Sequence, residues 1–332
     1  MAGSPNERSG CIRAVEVGRN SVAYCAAFVE TWRNTLRYSA LRMTYRMKPP
    51  AFEYRVAESV EAAVAMLAEA GGEAKVLAGG QSLVPMLNFR LLRPAILVDI
   101  NRIPGLAYIK EEGRAIRVGA LTRHYQLETS PVIAAHLPVL HAAMAHVAHL
   151  AIRNRGTIGG SLTHADPAAE LPMMALLLDA VIGIESPKGR RTVAAREFFL
   201  GALSVALEAD ELVTEVAFPK LPPNTRWGFE EVSRRHGDFA LTAVGVTLTV
   251  ADGTIAEARI AIAGADEKAR RASEAELLLK GQALEPKLLD AACDATRACV
   301  NPNTDLHASS DYRRHLVGVL TGKALGAAWK RA

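Results

Sequence analysis

The chain has 332 residues, half of them apolar, and a formal charge of +4. That length and apolar content predict a sizeable core spread over two or three domains, and the longest apolar run, around Leu176 to Ile184, is broken by Asp179 and Gly183 far short of a bilayer span. The positive charge excludes a nucleic-acid face on the body, because residues 1–46, with seven Arg, no Lys and three Glu, carry all of it and leave 32 basic against 32 acidic residues from Met47 onward.

Residues 1–46 lack a sustained apolar period. They read as a disordered or non-native extension, with Met47 a plausible start; Glu7, Glu16 and Glu30 argue against an organelle-targeting peptide. A first strand follows at Phe52 to Val56. Ser59 then caps a helix whose apolar residues Val60, Ala63, Val64 and Leu67 recur at helical spacing, and Gly71-Gly72 stop it. Strand Lys75 to Ala78, a glycine turn, an apolar stretch through Leu92 and strand Ile96 to Ile100 complete a βαβ-like unit.

The next unit reads as strand Ile116 to Gly119, a helix opening near Thr122 and a longer helix from Pro138 to Leu150. A polar, glycine-rich break at Arg153 to Thr163 follows, then helix Pro172 to Ala180 and strands Ala180 to Glu185 and Arg191 to Val193. Three prolines between Pro219 and Pro223 mark a domain boundary. Beyond it the pattern is antiparallel β: Trp227 to Ser233, Leu241 to Val250 and Ile255 to Ile262, with Asp252-Gly253 as a hairpin turn. Helices from Ala272, Glu285 and Tyr312 close the chain.

Two glycine turns carry the chemistry, AGGQS (Ala78, Gly79, Gly80, Gln81, Ser82) and TIGGS (Thr157, Ile158, Gly159, Gly160, Ser161). Glycines at positive φ can point consecutive N–H groups at one anion, and the nearby hydroxyls add donors. Each turn alone is also an ordinary connection between elements. Neither contains the Lys of a P-loop or spells G-x-G-x-x-G, which disfavours a nucleoside-triphosphate site and a doubly wound dinucleotide fold. Asp99, some twenty residues after the first turn, reads as the end of a strand.

His136, His141, His146 and His149 look like a metal cluster, but only His146 and His149 would share a helical face, so a structural helix is the better reading. The run Arg153-Asn154-Arg155 could balance diphosphate charge, anchor a neighbouring subunit or be merely solvated. The four cysteines are Cys11, Cys25, Cys293 and Cys299. Only two lie in the body, too few for a two-iron, two-sulfur cluster, and a disulfide framework is implausible.

The stretches LAGGQSLVPMLNFRLLRPAILVDINRIPGL, AIRNRGTIGGSLTHADPAAELP and RRHGDFALTAVGV resemble the FAD-binding medium subunits of molybdenum hydroxylases, the aerobic carbon monoxide dehydrogenase medium chains and xanthine dehydrogenase FAD subunits. The resemblance covers Met47 to Trp329. It implies an α+β fold: an FAD-binding domain of the vanillyl-alcohol-oxidase (PCMH) type over residues 47–222, with subdomains at about 47–103 and 104–222, and an α+β C-terminal domain over 223–332. It makes Ala78 to Ser82 and Thr157 to Ser161 two diphosphate-binding loops. Asp166 becomes a further FAD contact, and Trp227 and Phe229 match a stretch that reaches the flavin ring. Ser233 stands where such subunits often carry Lys, which puts a charge partner there in doubt.

The same resemblance implies non-covalent FAD, with His164 the nearby histidine able to compete for a covalent bond and a polar role preferred for it. It implies no catalytic residue on this chain. Molybdopterin and iron–sulfur clusters belong on a large and a small partner subunit, in a cytoplasmic dimer of heterotrimers. The alternative is a self-contained flavin oxidoreductase of the same fold, and a third reading is a flavin-free assembly protein.

Overall fold

The computed structural model describes residues 48–331, so the readings made for residues 1–46 and for Met47 lie outside the described residues. The described chain runs β1 (Glu53–Val56), α1 (Val60–Glu69), β2 (Ala74–Leu77), α2 (Leu83–Asn88), β3 (Ile96–Asp99), β4 (Ile109–Glu112) and β5 (Ala115–Gly119). Helices α3 (His124–Thr129), α4 (Pro131–His136), α5 (Pro138–Met144), α6 (Leu150–Arg153), α7 (Ile158–His164) and α8 (Glu170–Leu177) follow. Then come β6 (Val181–Ser186), β7 (Gly189–Ala194), α9 (Ala195–Phe198), β8 (Phe199–Gly201), β9 (Ser204–Val205) and β10 (Leu212–Pro219). The last part holds β11 (Thr225–Ser233), β12 (Ala240–Ala251), β13 (Thr254–Ala263), β14 (Arg270–Arg271), α10 (Ser273–Leu279), α11 (Pro286–Ala298) and α12 (Ser310–Lys330).

The described residues divide into two compact units, one of 48–51 with Val84–Arg93 and one of Phe52–Leu83 with 94–331. Within the first, the chain turns after α2 through Arg90, at φ +57°, and Phe89 and Leu91 are exposed.

In the second unit, β1, β3 and β2 form a parallel sheet in which β3 takes the centre, with Ile96 opposite both Glu53 and Ala74. Helix α1 is the crossover between β1 and β2. The Ser59 hydroxyl accepts from the Ala62 N–H at 3.1 Å, which caps it, and Ala63, Val64 and Leu67 are buried in a cluster with Val98, Ile100, Leu121 and Leu212.

A five-stranded antiparallel sheet follows, in the order β4-β5-β10-β6-β7. Its central strand, β10, has no counterpart in the sequence reading, and neither does β4, whose polar IKEE sequence hides the alternation of an edge strand. The four-stranded sheet β11-β12-β13-β14 contains the expected hairpin: Asp252 and Gly253 both adopt positive φ, +49° and +74°. Every residue of α8 is buried, as befits a helix that is apolar all round apart from Glu170. It presses on β12 so closely that a Cβ at Gly245 would lie 2.8 Å from the Met174 methyl. One apolar cluster therefore runs from Ile116 and Phe218 across to Ala243 and Ala261, past the proline-rich Pro219 to Pro223.

Two local readings need correction. The helix expected from Pro138 to Leu150 ends at Met144, and Ala148 sits at φ +45°, so His146 and His149 lie in a turn and share no helical face. The break expected over Arg153 to Thr163 is largely helical, being the end of α6 and most of α7.

Candidate flavin site

The first glycine turn leaves β2 at its C-terminal end. Gly80 adopts φ +72°, the backbone conformation that favours glycine. Among the described residues, the N–H groups of Gly79, Gly80, Gln81 and Ser82 make no hydrogen bond. Four adjacent free amides are available as donors to an anion. The Gln81 side chain donates to the Gly79 carbonyl at 2.9 Å, and Asn101 Nδ2 holds the Ala78 carbonyl at 2.8 Å, so the turn is braced from both ends.

The second turn is built differently. Thr157 caps α7, its hydroxyl accepting from the Gly160 N–H at 3.1 Å. The N–H groups of Ile158 and Gly159 donate to the Thr122 and Ala120 carbonyls at 3.0 and 2.9 Å. Positive φ is absent here, unlike at Gly80. Glycine is needed at 159 for another reason: a Cβ would stand 2.7 Å from that of Ala120. The sequence led us to expect free amides at both turns, but of the two only the first leaves its amides unbonded; the second offers the Ser161 side chain and a buried footing.

The two turns touch. A Cβ on Gly79 would overlap the Arg155 carbonyl oxygen and come within 3.0 Å of Gly156 Cα. Arg123 spans the same seam, its guanidinium donating to the Arg155 carbonyl and, at 2.8 Å, to Asn101 Oδ1. Next to it, the His124 N–H donates to the Gly156 carbonyl at 3.0 Å, and His124 Nε2 lies 3.0 Å from the Thr157 carbonyl. Burial pushes the His124 pKa down to about 4, so the ring is neutral and Nε2–H is the donor; Nδ1 is buried without a partner. Asp99 does end a strand. Its carboxylate takes the Asn101 N–H at 2.8 Å and the Tyr54 hydroxyl.

The remaining sequence candidates lie at the end of α7, in the loop after it and along β11. Asp166 lies two residues beyond α7 and accepts from the Ala168 N–H at 2.8 Å. Phe229, on β11, meets the His146 ring at a centroid distance of 5.0 Å. On the same face, Trp227 is stacked by the Arg331 guanidinium at 3.6 Å, while Ser233 donates to the Arg235 carbonyl at 3.0 Å. His164 closes α7 and is half-buried. Sequence reasoning missed Glu231 and Glu170. The Glu231 side chain is 2% exposed, 3.8 Å from His146 Nδ1, and its Oε2 has no partner. Burial, and then the charge of Glu170, raises its pKa to about 8; burial raises that of Glu170 to about 7. Alternation along β11 carried the signal, since Trp227, Phe229 and Glu231 point the same way.

No set of three or more His, Cys, Asp or Glu among the described residues could hold a metal ion, and none of their helices is long and apolar enough to cross a membrane.

The chain matches a sequence family described as the FAD binding domain in molybdopterin dehydrogenase over residues 50–221 and one described as the CO dehydrogenase flavoprotein C-terminal domain over residues 227–328. It is 45% identical over 287 residues to the 6-hydroxypseudooxynicotine dehydrogenase complex subunit alpha of Paenarthrobacter nicotinovorans, a match covering 86% of this chain and 97% of that one. Against the carbon monoxide dehydrogenase medium chain of Hydrogenophaga pseudoflava it is 39% identical, covering 86% and 99%. A solved structure of the carbon monoxide dehydrogenase of that organism, lacking the Mo-pyranopterin moiety, superposes with a TM-score of 0.84 at 41% identity, covering 85% of this chain and 99% of that one. The fold and site thus define an FAD-binding oxidoreductase subunit. The chain belongs to the FAD-binding medium subunits of the molybdenum hydroxylase family.

Proposed function

We propose that this subunit holds one FAD without a covalent bond and hands on electrons delivered by iron–sulfur clusters of a small partner subunit, the molybdenum centre residing on a large one. When bound, FAD supplies redox chemistry that accepts electrons singly and releases them singly or in pairs. The observation that carries the reading is the row of four unbonded amides at Gly79 to Ser82, set against Arg155 and Gly156. Ala78 to Ser82 cradle the diphosphate, Thr157 to Ser161 close over it, and Asp166 and Phe229 make further contacts. Non-covalent attachment is supported by the absence of His, Cys or Tyr from the first turn, where Gln81 stands, and by the place of His164 at the end of α7.

Residues 47–222 and 223–332 are the two proposed domains, and the complex is a cytoplasmic dimer of heterotrimers. Cys293 and Cys299 are free thiols, which fits a reducing compartment. The large subunit selects the substrate, whether carbon monoxide, an aldehyde or an N-heterocycle. The test is to reconstitute the full chain with FAD, measure its stoichiometry and its release on denaturation, and identify the chains that co-purify from the source cell. One releasable FAD and two partner chains are expected. Steady turnover of a small substrate by the chain alone would overturn the relay role in favour of a self-contained oxidoreductase.

A further inference from the structure

Arg153 and Arg155 are near neighbours in sequence, but the fold uses them differently. Arg153 is buried and committed: Nε donates to Glu128 at 2.8 Å, and Nη1 to the Val147 and Ala148 carbonyls at 2.9 and 2.8 Å. Arg155 is exposed and forms no ion pair with the described residues. Arg123, half-buried, reaches only neutral acceptors, the Arg155 carbonyl and Asn101 Oδ1. Asp99, the acid nearby, has its oxygens engaged by Asn101 and Tyr54. Burial, and then the charge of Arg155, holds the Arg123 guanidinium below its usual range.

We propose that Arg123 and Arg155 form a cationic clamp for the FAD diphosphate, an inference that rests on the flavin reading above and adds two residues to that site. Two guanidinium groups at one seam repel, and Asp99, the last of the influences on Arg123, offsets only part of the burial and repulsion that hold it down. The backbone of Arg155 abuts Gly79, the first residue of the turn with the four free amides. Every one of these groups is a donor without an anionic acceptor. A diphosphate brings two negative charges and several acceptor oxygens, and a guanidinium fork matches phosphate oxygens in pairs. Arg123 also ties the turns together through Asn101 and the Arg155 carbonyl, so it sets the width of the clamp, while Arg155 is free to swing onto the ligand.

The experiment uses the full chain. FAD dissociation constants are measured at low and high salt for wild type, Arg155→Gln and Arg155→Lys, with riboflavin as a phosphate-free ligand and inorganic pyrophosphate as competitor. Arg155→Gln is expected to weaken FAD binding about tenfold or more, to flatten its salt dependence and to blunt competition by pyrophosphate, while leaving riboflavin binding unchanged. Arg155→Lys should recover part of the loss. An unchanged FAD constant and salt slope in Arg155→Gln overturns the clamp and leaves the flavin reading intact. Equal loss of riboflavin and FAD overturns it as well, marking a structural role. Full FAD binding with loss of the partner chains reassigns Arg155 to subunit docking. Failure of wild type to bind FAD defeats the flavin reading and the clamp together.

Discussion

The carbonyl oxygen of Arg155 occupies the space that a side chain on Gly79 would fill. Two turns more than seventy residues apart are thereby in backbone contact, and the separation of the groups they offer a ligand is fixed by packing.

Adding one methyl at that contact tests it. Gly79→Ala should force the turns apart, lower stability by roughly 1–3 kcal/mol, the usual cost of overpacking, and strip FAD from the purified chain. Flavin absorbance per protein, with the melting temperature alongside, reads both effects. Full flavin content in Gly79→Ala would show that the seam does not set the site.

Gly80 and Gly160 should fail for different reasons. At φ +72° any L side chain on Gly80 is strained by about 1–2 kcal/mol, and Gly80→Val should abolish flavin retention. A Cβ on Gly160 meets the Thr157 hydroxyl at 2.8 Å. Gly160→Ala should therefore disturb the cap, at a cost of about 0.5–2 kcal/mol, and weaken FAD less than Gly80→Val does. Titration of the two variants with FAD ranks them.

His124 gives the molecule an acid-sensitive point. Its pKa is pushed by burial from the ordinary value near 6.5 to about 4, so the unfolded chain takes up the proton first. Stability is lost as pH falls from about 6.5 to about 4, and no further below. His124→Asn should flatten that part of a melting-temperature profile while lowering the neutral plateau, because the bond to the Thr157 carbonyl is weakened. A profile parallel to wild type would contradict this.

Glu231 and Glu170 act in the opposite sense. Their raised values, about 8 and about 7, mean that the folded chain holds protons the unfolded chain has released. Stability falls as pH rises from about 4.5 to about 8, the folded range of the pair. Glu231→Gln should raise the melting temperature by a few degrees at pH 8 and leave it unchanged at pH 4, where both carboxyls are neutral. Equal shifts at both pH values would show that packing, not charge, explains the variant.

Much of this was legible because local chemistry was decisive. Ser59 before an apolar period announced α1, Asp252-Gly253 announced a hairpin, and AGGQS and TIGGS announced a resemblance that the family comparisons bear out. What escaped was settled by distant partners. The polar β4 is a strand because Lys110 and Glu112 pair with Arg117 and Ala115. Ala148 breaks the helix after α5 in a left-handed conformation that nothing about alanine forecasts. Glycine at 159 serves contact with Ala120, not dihedral freedom, and sequence cannot tell the two apart. Glu231 reads as a surface residue until β11 is laid against the layer that holds His146.

The position of β10 has a consequence for biosynthesis. Val216 pairs with Val118 on one side and Ile182 on the other, so the middle of this sheet is the last of its strands to leave the ribosome. Until then β5 and β6 present raw edges to solvent, and association over so long a loop is slow. A chain cut short before Leu212 would leave both of those edges unpaired.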